Sequence, residues 1–140
     1  MNTTPSTLAG RTALVTGSTS GLGAGIAIAL AAAGAQVVVT GRNHTRGDEV
    51  VARIESTGGR AVYLPVDFAA GPEAIAELAT AANAAVGGRI DILINNVATL
   101  AQPAPTAEVT ADEIAAALSV SVTTTFMHMG LLAPAMTHRG

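Results

Sequence analysis

At 140 residues the chain has the size of one domain with a real core, and its length argues against two. It is 49% hydrophobic and only 12% charged, which excludes a disordered chain, and its net charge of −3 leaves no basic surface for nucleic acid. It contains no cysteine, so neither a disulfide framework nor a thiolate metal site can form. The first seven residues lack the basic and apolar regions of a signal peptide, so the expected location is cytoplasmic. No apolar run reaches about 18 residues without a polar or glycine break, so no membrane span is expected. Residues 1–10 read as a mobile tail and residues 11–140 as one domain.

Taken in chain order, residues 12–15 (TALV) read as a buried strand that turns directly into an alanine-rich helix through TGSTSGLG at 16–23. In that helix Leu22, Ile26 and Leu30 share one face. Gly17 permits a tight turn, Gly21 lets the backbone approach an anion, and Gly23 lets the helix pack close to the strand. The free N–H groups and positive end of the helix dipole then make this a place to hold phosphate, although such a turn can also serve packing alone. A second strand at 36–40 follows within the roughly 30 residues of a βαβ unit, which favours nucleotide binding.

Asn43 caps the next helix, which carries Glu49 and Arg53 outward and Val50, Val51 and Ile54 inward, and Gly58-Gly59 ends it. A third strand at 60–67 leads to Pro72 in a first helical turn, then to a stripe of Ile75, Leu78, Ala82 and Val86 that stops at Gly87-Gly88. The fourth strand is expected at 90–95. After a loop with Pro103 and Pro105, Thr110 and Glu113 form a capping box for a last helix expected to bury Ile114, Leu118, Val122, Phe126 and Met129. Strands alternating with helices call for a doubly wound α/β fold with a parallel sheet covered on both faces.

The order of these features resembles the short-chain dehydrogenase/reductase family, and looks like its branch of acyl-carrier-protein 3-oxoacyl reductases. The resemblance spans nearly the whole chain: TGSTSGLG fits the family's TGxxxGxG turn, Asp67 stands at its adenine-contacting aspartate, and NNVA at 95–98 resembles its NNAG segment. It implies a Rossmann-type sheet, truncated after the fourth strand and following helix. It also implies that Gly17, Ser18, Thr19, Ser20, Gly21, Leu22 and Gly23 cradle a pyrophosphate, that Asp67 and Phe68 meet the adenine, and that Asn95 lies near the adjoining ribose. Without the resemblance, Asp67 reads equally as a strand-end turn residue, and Asn95 and Asn96 as groups satisfying sheet-end backbone.

A nicotinamide enzyme that uses NAD usually places a carboxylate at the end of the second strand. Here that position holds Gly41, followed by Arg42 and Asn43. Loss of the carboxylate removes a repulsion, and the Arg42 guanidinium can pair with a 2′-phosphate, so NADP(H) is expected to be preferred over NAD(H). The family's catalytic tyrosine and the lysine four residues later are absent. The chain has no lysine, and its one tyrosine, Tyr63, lies in the third strand. The resemblance therefore implies the cofactor-binding half of an alcohol/ketone oxidoreductase without its Ser/Tyr/Lys half, and no catalytic residue is assigned. Ser121 stands where the family has a helix asparagine, but serine is shorter and can bond back to its own helix. His128 lies two turns beyond Ser121 and could share a site with it, though a packed or solvent-facing histidine is the expectation. The implied partners are a nicotinamide dinucleotide, an alcohol or ketone substrate if the chain is completed, and a second copy of the chain through the last helix. A noncatalytic nucleotide-binding module and a nonfunctional gene fragment are the alternatives.

Overall fold

The computed structural model describes residues 6–99 and 103–138. Strands β1 (Thr12–Val15), β2 (Gln36–Gly41), β3 (Arg60–Pro65) and β4 (Ile92–Ile94) pair in parallel in the order β3-β2-β1-β4. Helices α1 (Gly21–Ala32), α2 (His44–Glu55), α3 (Pro72–Ala85) and α5 (Thr124–Thr137) cover the sheet, while α4 (Ala111–Leu118) buries none of its residues.

Strand periodicity sorts the core into two layers. Ala13, Val15, Val37 and Val39 point to one face and pack with Ala27, Ala31, Val50 and Ile54 of α1 and α2. Leu14 and Val38 point to the other and meet Ala79, Ala82 and Leu132 of α3 and α5. Both faces are thus covered, as a run of consecutive valines in β2 requires. At the amino ends of β1 and β4, Asp91 accepts the Thr12 N–H at 3.0 Å and pairs with Arg89 at 2.7 Å, which staples the two strands. The strand order reverses between β2-β1 and β4, so a crevice opens beyond the carboxyl ends of β1 and β4.

Several sequence expectations need correction. The third strand stops at Pro65 and not at residue 67, because Asp67 turns the chain by accepting the Ala69 N–H at 3.0 Å and starts a single 3₁₀ turn, Phe68–Ala70. The fourth is only Ile92–Ile94. In α1 the buried face is Gly23, Ala27 and Ala31, one position round from the stripe of Leu22, Ile26 and Leu30, because small side chains let the helix lie close to the sheet. Leu22 is 75% exposed. Of the expected tail, residues 1–5 lie outside the described residues. Leu8 donates its N–H to the Ala33 carbonyl at 2.9 Å and packs on the core.

The last helix departs most. Ile114, Leu118, Val122, Phe126 and Met129, expected inside, are exposed, and the buried line is Val120, Thr124, His128 and Leu132. A π-helical stretch, Ser119–Thr123, joins α4 to α5 and rotates everything after it. The joined helix Ala111–Thr137 is long and apolar enough, by length and composition, to cross a membrane, although serines, threonines, His128 and Gly130 break its apolar residues into shorter runs, as the sequence shows.

His128 is fully buried, edge-on to Phe68 at 6.0 Å between ring centroids, and neither ring nitrogen has a hydrogen-bond partner among the described residues. Burial holds its pKa below the ordinary histidine range, against a smaller opposing pull from the Thr124 backbone. The folded state therefore disfavours the imidazolium, while the unfolded chain takes up the proton near its usual pKa of roughly 6.5. Stability is complete above that value and is lost as pH falls below it. Urea midpoints at pH 7.5, 6.5 and 5.5 are expected to fall with pH, with a limiting slope of about 1.4 kcal/mol per unit for one proton. His128→Leu is expected to flatten this part of the profile, and an unchanged slope in that variant would refute the assignment.

Candidate functional site

The site is built where β1 and β4 end. Thr16 follows β1 fully buried, and its Oγ1 accepts the N–H groups of Asn96 at 3.0 Å and Val97 at 3.1 Å while donating to the Ile94 carbonyl at 3.3 Å. The Asn96 amide donates in return to the carbonyls of Thr16 and Gly17, both at 3.1 Å. One threonine and one asparagine thus lock the glycine turn to the end of β4.

Within the turn the glycines have separate reasons. Gly17 has φ +66° and sits against Val97, whose Cα would lie 3.1 Å from a Cβ placed there. Gly21 has φ +55° and open space beside it. A Cβ on Gly23 would drive into the Gly17 carbonyl oxygen and lie 2.6 Å from the Asn96 Nδ2. Ser20 occupies the N-cap of α1 without a side-chain cap bond, so the first-turn amides are left for another acceptor.

Ser18 is bonded into the sheet beneath the turn. It is fully buried, its hydroxyl donates to Val15 O at 2.7 Å and accepts from Thr40 N at 2.9 Å, and its own N–H donates to Thr40 O at 2.8 Å. With these donors occupied, Ser18 ties β1 to β2 and holds the turn from below.

A cavity of about 470 Å³, within the range of small-molecule sites, lies over the turn. Gly17, Thr19 and Ser20 form its floor, Gly41 and Arg42 one end, Asp67, Phe68 and Ala69 a side wall, and Val97, Ala98 and Thr99 the other. Gly41 is close to Thr19, whose Cγ2 and Oγ1 would stand 2.7 and 2.8 Å from a Cβ at position 41. A side chain at position 41 would therefore displace the Thr19 side chain. Arg42 is exposed, and Asn43 caps α2 by accepting the Arg46 N–H at 2.9 Å. Asn95 follows β4 outside the cavity lining, and its buried Oδ1 has no hydrogen-bond partner among the described residues.

Thr16 and Asn96 lie within the TGSTSGLG and NNVA motifs, but the sequence did not show that they bond to one another, nor that Ser119 and Val120 line the cavity from the π-helical stretch. The run SVSVT there, poor in strong helix formers, was the available signal. Ser121 is half-buried and its carbonyl takes the Thr125 hydroxyl at 2.7 Å. The structure does not join it to His128 by any hydrogen bond among the described residues. No group of three metal-ligating side chains occurs among the described residues.

The described residues fit a dinucleotide: small residues where backbone must approach, first-turn amides of α1 without a side-chain cap, and an exposed guanidinium among the lining residues. The family model for short chain dehydrogenases matches residues 11–140. The chain is similar to a metagenomic short-chain oxidoreductase crystallised with NADP, at 34% identity and TM-score 0.87, over 95% of this chain and 59% of that one. It is also similar to a 3-oxoacyl (acyl-carrier-protein) reductase from Agrobacterium tumefaciens C58 with NADP bound, at 35% identity and TM-score 0.88, over 97% and 51% of the two chains. A hydroxysteroid dehydrogenase from Escherichia coli aligns at 33% identity and TM-score 0.87, over 97% and 56%. No curated protein sequence matches. The chain therefore spans about half the length of these solved structures. Motif, switch-point crevice, family model and folds agree, and the chain belongs to the short-chain dehydrogenase family.

Proposed function

We propose that this chain binds NADP(H), in preference to NAD(H), as the dinucleotide-binding portion of an oxidoreductase that interconverts an alcohol and a ketone. The observation that carries the reading is the contact of Gly23 with the Gly17 carbonyl, which brings the N-terminus of α1 against the turn and leaves its amides for a pyrophosphate. Arg42, at the cavity end and without an ion-pair partner among the described residues, would take the 2′-phosphate. Asp67 and Phe68 would flank the adenine and Asn95 the ribose. The bound cofactor supplies the hydride; these residues bind and orient it. Proton transfer is not assigned to them, since the chain has no lysine and the Tyr63 hydroxyl is bonded to the Gly41 carbonyl. The substrate, an alcohol or ketone, and the cytoplasmic setting belong to the same proposal, as does a homo-oligomer through the exposed apolar face of α4 and α5.

Fluorescence titration with NADPH and NADH tests the reading. A charge-assisted pair is worth about 1.5–3 kcal/mol, so NADPH is expected to bind about ten-fold or more tightly than NADH. Arg42→Ala is expected to remove that advantage while leaving the NADH affinity within about two-fold. Equal dissociation constants for the two cofactors in the unaltered chain would refute the preference.

A further inference from the structure

Tyr63 is the chain's one tyrosine, placed on β3 opposite Val39, and its hydroxyl donates to the Gly41 carbonyl at 2.7 Å. That carbonyl also accepts the Val66 N–H at 3.1 Å, so it is held from two directions. The ring of Tyr63 lies under the first turn of α2. Gly47 rests on it so closely that a Cβ there would lie 2.5 Å from Cε2, and the His44 ring meets it edge-on with centroids 5.6 Å apart. Burial, with a smaller contribution from Asp48, pushes the phenol's pKa up, so the hydroxyl keeps its proton and remains a donor.

One side chain therefore grips both ends of a short turn. Its oxygen holds Gly41 at the end of β2, its ring carries His44 and Gly47 at the start of α2, and the residues in between are Arg42 and Asn43. Thr19 of the glycine turn packs beside Gly41, its Cγ2 2.7 Å from where a Cβ would stand. Arg42 itself is exposed and has no ion-pair partner among the described residues, so the path of its backbone is what directs its guanidinium. We infer that Tyr63 is a positioning residue for Arg42 and thereby sets the discrimination between a 2′-phosphate and a 2′-hydroxyl. Tyr63 would not touch the cofactor.

The inference rests on the reading of Arg42 given above, and the experiment separates the two. NADPH and NADH are titrated into the unaltered chain and into Tyr63→Phe, which deletes one oxygen and keeps the ring. The NADPH preference is expected to fall about five-fold, the effect of one hydrogen bond, while NADH affinity stays within about two-fold. Tyr63→Leu, which removes the ring as well, is expected to lose more of the preference. A preference carried unchanged into Tyr63→Phe would overturn the role of Tyr63 and leave that of Arg42 standing. So would an equal weakening of both cofactors, which is what general loosening of the fold produces. Absence of any preference in the unaltered chain would overturn both.

Discussion

Gly23→Ala is expected to destabilise the chain by about 3 kcal/mol and to abolish dinucleotide binding, whereas Gly25→Ala, two residues on, is expected to stabilise it by about 0.5–1 kcal/mol. The two glycines sit in the same helix and the same alanine-rich run. What separates them is the neighbour. A methyl at Gly23 meets the Gly17 carbonyl, a backbone atom that cannot swing away, and stands 2.6 Å from the Asn96 amide. A methyl at Gly25 meets nothing within 4 Å. In the first case α1 must back away from the turn, which undoes the close helix–strand contact and widens the gap that a pyrophosphate would bridge. In the second only the entropy of a helical glycine is removed. Urea unfolding of the two variants, with NADPH titration on whatever remains folded, checks the contrast; a Gly23→Ala variant as stable as the original would show that the turn and helix are not in contact.

Thr16→Val is expected to cost about 2–4 kcal/mol although valine has nearly the same shape. The hydroxyl is the acceptor for two N–H groups, those of Asn96 and Val97, and a buried donor left unpaired costs about 1–3 kcal/mol. The change also frees the Asn96 segment whose amide holds the carbonyls of Thr16 and Gly17. Cofactor affinity should fall together with stability. Thr16→Ser keeps the oxygen and loses only a methyl, so it should recover most of both. If valine and serine behave alike in chemical denaturation, the hydroxyl does not carry the tether.

Much of this arrangement is legible in the amino-acid sequence because it is local. The glycine turn, the Asn43 cap, the Thr110–Glu113 capping box, and the inward faces of α2 and α3 each depend on residues a few positions apart, and all appear in the structure. Arg42, Asp67 and Phe68 line the same cavity as Gly17 and Thr19, as their positions at the ends of successive strands imply.

The face of the last helix was not legible. Its residues are apolar or small on every side, so periodicity has little contrast to read, and the π-helical stretch Ser119–Thr123 shifts the register part way along. The packing of Ser18 was not legible for another reason. Its three bonds run to Val15 and Thr40, and the pairing of β1 with β2 that brings Thr40 there is not visible in a motif. Tyr63 and Gly41 are 22 residues apart and meet only because β3 pairs with β2 in register, Gly41 opposite Pro65.

The central claim is that a dinucleotide lies across the carboxyl ends of β1, β2 and β4 with its 2′-phosphate at Arg42. Amide chemical-shift mapping of the chain during NADPH titration tests it most directly. The account predicts perturbations concentrated at Gly17 and Thr19 through Gly23, at Arg42 and Asn43, at Asp67 and Phe68, and at Asn95 through Val97, with NADH reproducing all but those around Arg42. Saturable perturbations centred elsewhere, such as the groove between β3 and α3 lined by Leu64, Ala74 and Leu78, or no perturbation at millimolar NADPH, would contradict it.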